Sequence, residues 1–75
     1  MSKASELLDQ AESDLESAQE KFNQEIPNKM SGIYYCIDAW SRLAEALMCE
    51  GSQEPELVDR AHKLSRALLE LQENF

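Results

Sequence analysis

The chain has little that bends a backbone: two glycines and two prolines in 75 residues. Turns are therefore few and regular segments long. It is also poor in base. Seven Lys and Arg stand against fifteen Asp and Glu, a formal charge of −8 with a pI near 4.4. Such a surface repels nucleic-acid phosphates and anionic lipid, so no nucleic acid is expected as a partner. No run approaches the roughly 18 apolar residues of a membrane span, so no membrane association is expected either. Behind Met1-Ser2-Lys3-Ala4-Ser5-Glu6 there is no apolar stretch, which gives no expectation of a secretory leader. Two cysteines, Cys36 and Cys49, fall within one helical segment, about 20 Å apart along its axis and beyond disulfide reach. Free thiols suit a reducing compartment, and the expectation is cytoplasmic.

What the chain does have is three stretches of helical periodicity. Ala4, Leu8, Ala11, Leu15, Ala18 and Phe22 alternate at spacings of four and three, one stripe along one side of a helix. Leu7 widens it, Ser2 or Ser5 can cap it, and Ile26-Pro27 stops it. The second segment carries two stripes. Met30, Ile33, Ile37, Trp40, Ala44 and Leu47 form one; Cys36, Ala39, Leu43 and Ala46 form the other, with Tyr34, Tyr35 and Met48 between them. Fourteen of the twenty residues from Met30 to Cys49 are apolar, so this helix is expected to be the central one, covered on more than one side. Glu50-Gly51-Ser52-Gln53-Glu54-Pro55 then breaks the chain, with Gly51 as the left-handed residue and Pro55 in the first turn of the next helix. Leu57, Ala61, Leu64, Leu68, Leu71 and Phe75 give the third stripe. On its outer side Glu56 and Arg60, Asp59 and Lys63, and Arg66 and Glu70 stand as opposite-charge pairs one turn apart. The pattern predicts an all-α, three-helix antiparallel bundle, up-down-up, with helices over about 3–24, 28–50 and 54–74, in one domain spanning 1–75.

A bundle this small is marginal, and small bundles without metal or disulfides gain stability by oligomerising. The alanine-rich first and third stripes are thin cover for the second helix. An uncovered strip is therefore expected around Tyr35, Arg42, Cys49 and Met48, and a homodimer through it is the favoured expectation. In the first helix Asp9, Glu12, Glu16 and Glu20 repeat at spacings of three and four with no base between them. That stripe is either a solvated face or a dock for a basic segment of a partner protein. Arg60, Lys63 or Arg66 of the third helix are the cations able to reach it inside the bundle.

Catalytic and metal chemistry have little to stand on. Asp59 and His62 at (i, i+3) make half of a bundle di-metal site, and a surface histidine is the plainer reading. No Cys-x-x-Cys, His-Glu-x-x-His, calcium loop or glycine-rich phosphate loop occurs, so no cofactor and no enzyme activity are expected.

Two family resemblances carry limited stretches of the chain. Leu7-Leu8-x-x-Ala11-x-x-Asp14-Leu15-x-x-Ala18, with Tyr34-Tyr35, Asp38-Ala39 and Ala44-Glu45-Ala46-Leu47, resembles the first two helices of HEPN domains. The nuclease signature of that family, Arg then four to six residues then His, is replaced here by Arg60-Ala61-His62, so the resemblance implies a non-catalytic helical module. Asp59-Arg60-Ala61-His62-Lys63-Leu64 resembles the third helix of MIT domains, small modules that receive helical peptides. The function expected from all of this is a small acidic protein–protein interaction module, an adaptor or a regulator or inhibitor, that self-associates. The alternative is a structural subunit of a homo-oligomer, with a metal- or ligand-bearing bundle third.

Overall fold

In the computed structural model, which describes residues 2–73 and 75, the chain forms three helices, α1 (Lys3–Phe22), α2 (Lys29–Leu47) and α3 (Pro55–Gln72). The first two begin where the sequence supplies a side-chain partner for a free N–H group. The Ser2 hydroxyl accepts from the Ser5 amide at 3.2 Å, and the Asn28 side-chain oxygen accepts from the Ser31 amide at 3.1 Å. Pro55 opens α3, with Glu54 and Glu56 set against the positive end of its dipole.

All three helices end about two residues sooner than the periodicity predicts. The Asn23 amide donates to the Gln19 carbonyl at 3.0 Å, and the chain then turns back, the Asn28 amide reaching the Lys21 carbonyl at 3.1 Å. At the end of α2 the Met48 and Cys49 amides donate three residues back, to Glu45 and Ala46, tightening the last turn. The Ser52 hydroxyl then donates to the freed Leu47 carbonyl at 3.0 Å. Gly51, at φ +84°, is the left-handed residue of that connection rather than the residue that follows the helix directly. The predicted end of the third helix, Asn74, lies outside the described residues.

The topology is the expected up-down-up bundle, 40 × 17 × 15 Å overall. Phe22 at the end of α1 lies against Gly32 near the start of α2 and Asp14 meets Arg42 further along, which sets those helices antiparallel, and Arg60 near the start of α3 reaches Ser5, Asp9 and Glu12 near the start of α1, which sets those two parallel.

Side-chain size decides which pair packs closely. Ala4, Ala11 and Ala18 recur every seven residues on α1, and Gly32, Ala39 and Ala46 recur every seven on α2; all six are buried. Small residues facing one another let two backbones approach, and α1 and α2 accordingly pack along their whole length. α3 meets the pair through larger groups, Leu57, Leu64 and Leu68, and lies chiefly against α1. This corrects the expectation of α2 as the central helix: it is covered closely by α1 and only sparsely by α3.

Candidate protein-binding face

The sparse cover over α2 leaves part of its apolar surface in the open. The stripe of small residues, Cys36, Ala39, Leu43 and Ala46, is the core stripe. Of the bulkier one, Ile33 and Trp40 are half-buried, Trp40 packing on the core and donating through Nε1 to Gln72 Oε1 at 3.0 Å, while Met30 is 81% exposed, Ile37 59% and Leu47 55%, with Tyr34 at 64% and Met48 at 85% beside them. Ser41 and Ala44 are exposed between them. Read along the helix, Met30, Tyr34, Ile37, Ser41, Ala44 and Met48 alternate at spacings of four and three, a straight seam.

Of the strip expected from sequence, one member is on this seam. Met48 is exposed, whereas Tyr35, Arg42 and Cys49 are each half-buried one step further round the helix, towards α1. Tyr35 packs against the core and meets Tyr34 edge to face at 6.2 Å. Arg42 donates through Nη1 to the Asp14 carboxylate at 2.9 Å. The Cys49 thiol donates to the Glu45 carbonyl at 3.3 Å. Cys36 is a free, buried thiol whose pKa burial pushes up. The uncovered strip is thus displaced from its predicted position. The missed signal was the seven-residue recurrence of small residues on both helices, which says which stripe of α2 can come close to α1.

Asp14 is the one buried charged residue among those described. Burial raises its carboxyl pKa; the Arg42 guanidinium pulls it back, and the neighbouring Asp38 charge pushes it up further.

The acidic stripe of α1 is divided. Arg60 crosses from α3 and closes its upper half, donating through Nη2 to Asp9 at 2.6 Å and to Glu12 at 2.7 Å, and through Nη1 to the Ser5 hydroxyl at 3.2 Å. The hydrogen bond to Glu12 is the leading reason that its guanidinium pKa is raised, with burial opposing. Arg60 therefore serves the neighbouring helix rather than Glu56 of its own. Glu16 and Glu20 remain as exposed carboxylates below that clamp. On α3, Lys63 pairs with Asp59 at 2.9 Å, as the one-turn spacing predicts.

A shallow hollow of about 190 Å³ opens at the α2–α3 junction, towards the same end of the bundle as the Arg60 clamp, lined by Leu47, Val58, Ala61, His62 and Ser65. It is smaller than the ~300 Å³ at which small-molecule sites begin. Asp59 and His62 are both exposed, and among the described residues no three His, Cys, Asp or Glu side chains gather in metal-binding geometry. Among the described residues no helix is long and apolar enough to cross a membrane. No family model, characterised protein or solved structure matches the chain, so what the site can do rests on its own chemistry.

Proposed function

We propose that this protein works by protein–protein contact, as a small helical module that self-associates through the exposed apolar seam of α2. The observation that carries the reading is the exposure of four large apolar side chains, Met30, Tyr34, Ile37 and Met48, in one line on a helix that α3 covers only sparsely. Scattered exposed apolar residues are ordinary, whereas a contiguous row of them marks a binding surface. The whole chain exposes 5159 Å², about a tenth more than the ~4,700 Å² expected of a monomer of this mass.

Charge placement favours a second copy over a basic partner. The acids of α2, Asp38 and Glu45, are balanced by Lys29 and Arg42, so the helix bearing the seam is neutral. The negative excess lies on α1 and the connections, away from it. With Asp9 and Glu12 held by Arg60, a basic docking segment is left with Glu16 and Glu20 on that face. The free thiols fit this module to a cytoplasmic setting, without catalysis and without a cofactor.

Sedimentation and light scattering across a micromolar-to-millimolar range test the reading. The expected result is a concentration-dependent dimer that Ile37→Glu converts to a monomer of unchanged helical content. A wild-type chain still monomeric at millimolar concentration overturns it.

A further inference from the structure

We infer that the two copies pair α2 against α2 in antiparallel, with the two-fold axis at the level of residue 39, so that Met30 lies across from the partner's Met48, Tyr34 from the partner's Ala44, and Ile37 from the partner's Ser41. This rests on the self-association proposed above and adds the orientation and register.

The seam is asymmetric in size along its length. Its first half holds Met30, Tyr34 and Ile37; its second holds Ser41 and Ala44 before ending on Met48. Close packing asks each large group to meet a small one. An antiparallel pair does this at its inner levels in a single register, Tyr34 on Ala44 and Ile37 on Ser41, and sets the flexible Met30 and Met48 together at each end, since 30 with 48, 34 with 44, and 37 with 41 share one midpoint. A parallel pair sets Tyr34 on Tyr34 and Ile37 on Ile37, and leaves a void where Ser41 meets Ser41 and Ala44 meets Ala44.

The chemistry at the axis is compatible with burial. The Ser41 hydroxyl, one turn after Ile37, can donate to the carbonyl four residues back and need not be left unpaired. The two Asp38 carboxylates come closest across the axis, and each has Arg42 one turn along its own helix. Met30, Tyr34, Ile37 and Met48 together expose on the order of 600 Å² per copy, towards the ~800 Å² per partner of a standard interface. The seam is long enough, and apolar enough, to be filled by its own copy.

The test is cysteine crosslinking in a Cys49→Ser background, mixing chains carrying Met30→Cys with chains carrying Met48→Cys in a thiol redox buffer. Both positions are exposed, so the fold is not at stake. The expected result is a mixed disulfide at several-fold the yield of either self-crosslink. A spin label at position 30 is expected to report a pair distance of about 27 Å or more, eighteen helical residues along the axis, against roughly 10 Å for a parallel pair. A dimer by sedimentation in which Met30→Cys crosslinks to itself overturns the orientation and leaves self-association standing. A dimer whose mixed and self-crosslinks are all absent overturns the use of this seam. A monomer overturns both readings.

Discussion

The ring of Phe22, in the last turn of α1, lies over Gly32 in the first turn of α2 so closely that a Cβ on Gly32 would stand 2.7 Å from a ring carbon. The same ring stacks on Phe75 at 5.6 Å, so one aromatic closes the end of the bundle by touching both other segments. Gly32 is helical and needs no unusual φ; it is glycine because of what sits on it. Gly32→Ala sets a gain in helix propensity of about 1 kcal/mol against displacement of the ring, which overpacking puts at roughly 1–3 kcal/mol. The expected outcome is a net loss of about 1 kcal/mol in chemical denaturation. In a Phe22→Ala background the same substitution is expected to stabilise by about 1 kcal/mol, because the obstruction is gone. A destabilisation of equal size in both backgrounds would mean that the ring is not the cause.

Arg60 ties α3 to α1 through three acceptors, Asp9, Glu12 and Ser5, with little other polar bonding between those helices among the described residues. Its partners are about half exposed, so water and salt discount the attraction. Arg60→Gln is expected to destabilise by about 1 kcal/mol, the value of a charge-assisted bond so discounted. Arg60→Lys is expected to recover less than half of it, since an ammonium cannot span Asp9 and Glu12 with a planar fork. In molar salt the Arg60→Gln difference is expected to shrink. A loss that salt leaves unchanged would point to packing of the arginine stem instead.

How far the fold was legible follows from particular residues. The alternation of fours and threes from Ala4 to Phe22 and from Leu57 to Leu71 is a single stripe in each case, so there was one way to place those helices, and the structure agrees. Over α2 there were two stripes, and periodicity does not rank them. The stripe with Met30, Ile37 and Leu47 is the more hydrophobic, yet the one with Gly32, Ala39 and Ala46 is buried, because close approach to Ala4, Ala11 and Ala18 rewards smallness. The candidate face moved round the helix for the same reason. Arg60 was legible only in part. The one-turn spacing offers Glu56, and only the parallel placement of α3 beside α1 brings Asp9 and Glu12 nearer.

Asp14 gives the fold a pH dependence of defined sign. Burial, assisted by Asp38, raises its carboxyl pKa in the folded chain despite the Arg42 guanidinium. The folded state therefore holds the proton more tightly than the unfolded one. This contribution to stability is fully present below the ordinary carboxyl value of 3.8 and is lost as pH rises through the raised one. Asp14→Asn keeps an oxygen for the Arg42 donor and removes the buried charge. It is expected to be neutral or to stabilise by up to about 1 kcal/mol at pH 7, with the gain vanishing near pH 3. Arg42→Met leaves the carboxylate buried beside Asp38 without its counter-ion, and is expected to cost about 2 kcal/mol at pH 7 and much less in acid. Urea melts of the three proteins at the two pH values decide this. An Arg42→Met deficit as large in acid as at neutrality would assign the loss to packing.

Tyr35 and Ile37 separate folding from self-association. Tyr35 packs on the core beside Cys36, whereas Ile37 stands on the open seam, so a carboxylate at each should act on a different equilibrium. Tyr35→Glu is expected to lower stability by roughly 2 kcal/mol at any protein concentration, because it draws a charge towards the α1–α2 interface. Ile37→Glu is expected to leave the urea midpoint of the dilute protein within about 0.5 kcal/mol of wild type and to weaken dimerisation at least tenfold, a shift of about 1.4 kcal/mol. Salt gives an independent check on the wild type. Two chains of charge −8 repel at long range while the apolar seam is unscreened. Raising the salt from low to physiological strength and above is therefore expected to tighten the dimer, the reverse of an association driven by opposite charges. A dimer that loosens as salt is added would place the interface on the acidic face of α1 and its cationic neighbours, not on α2.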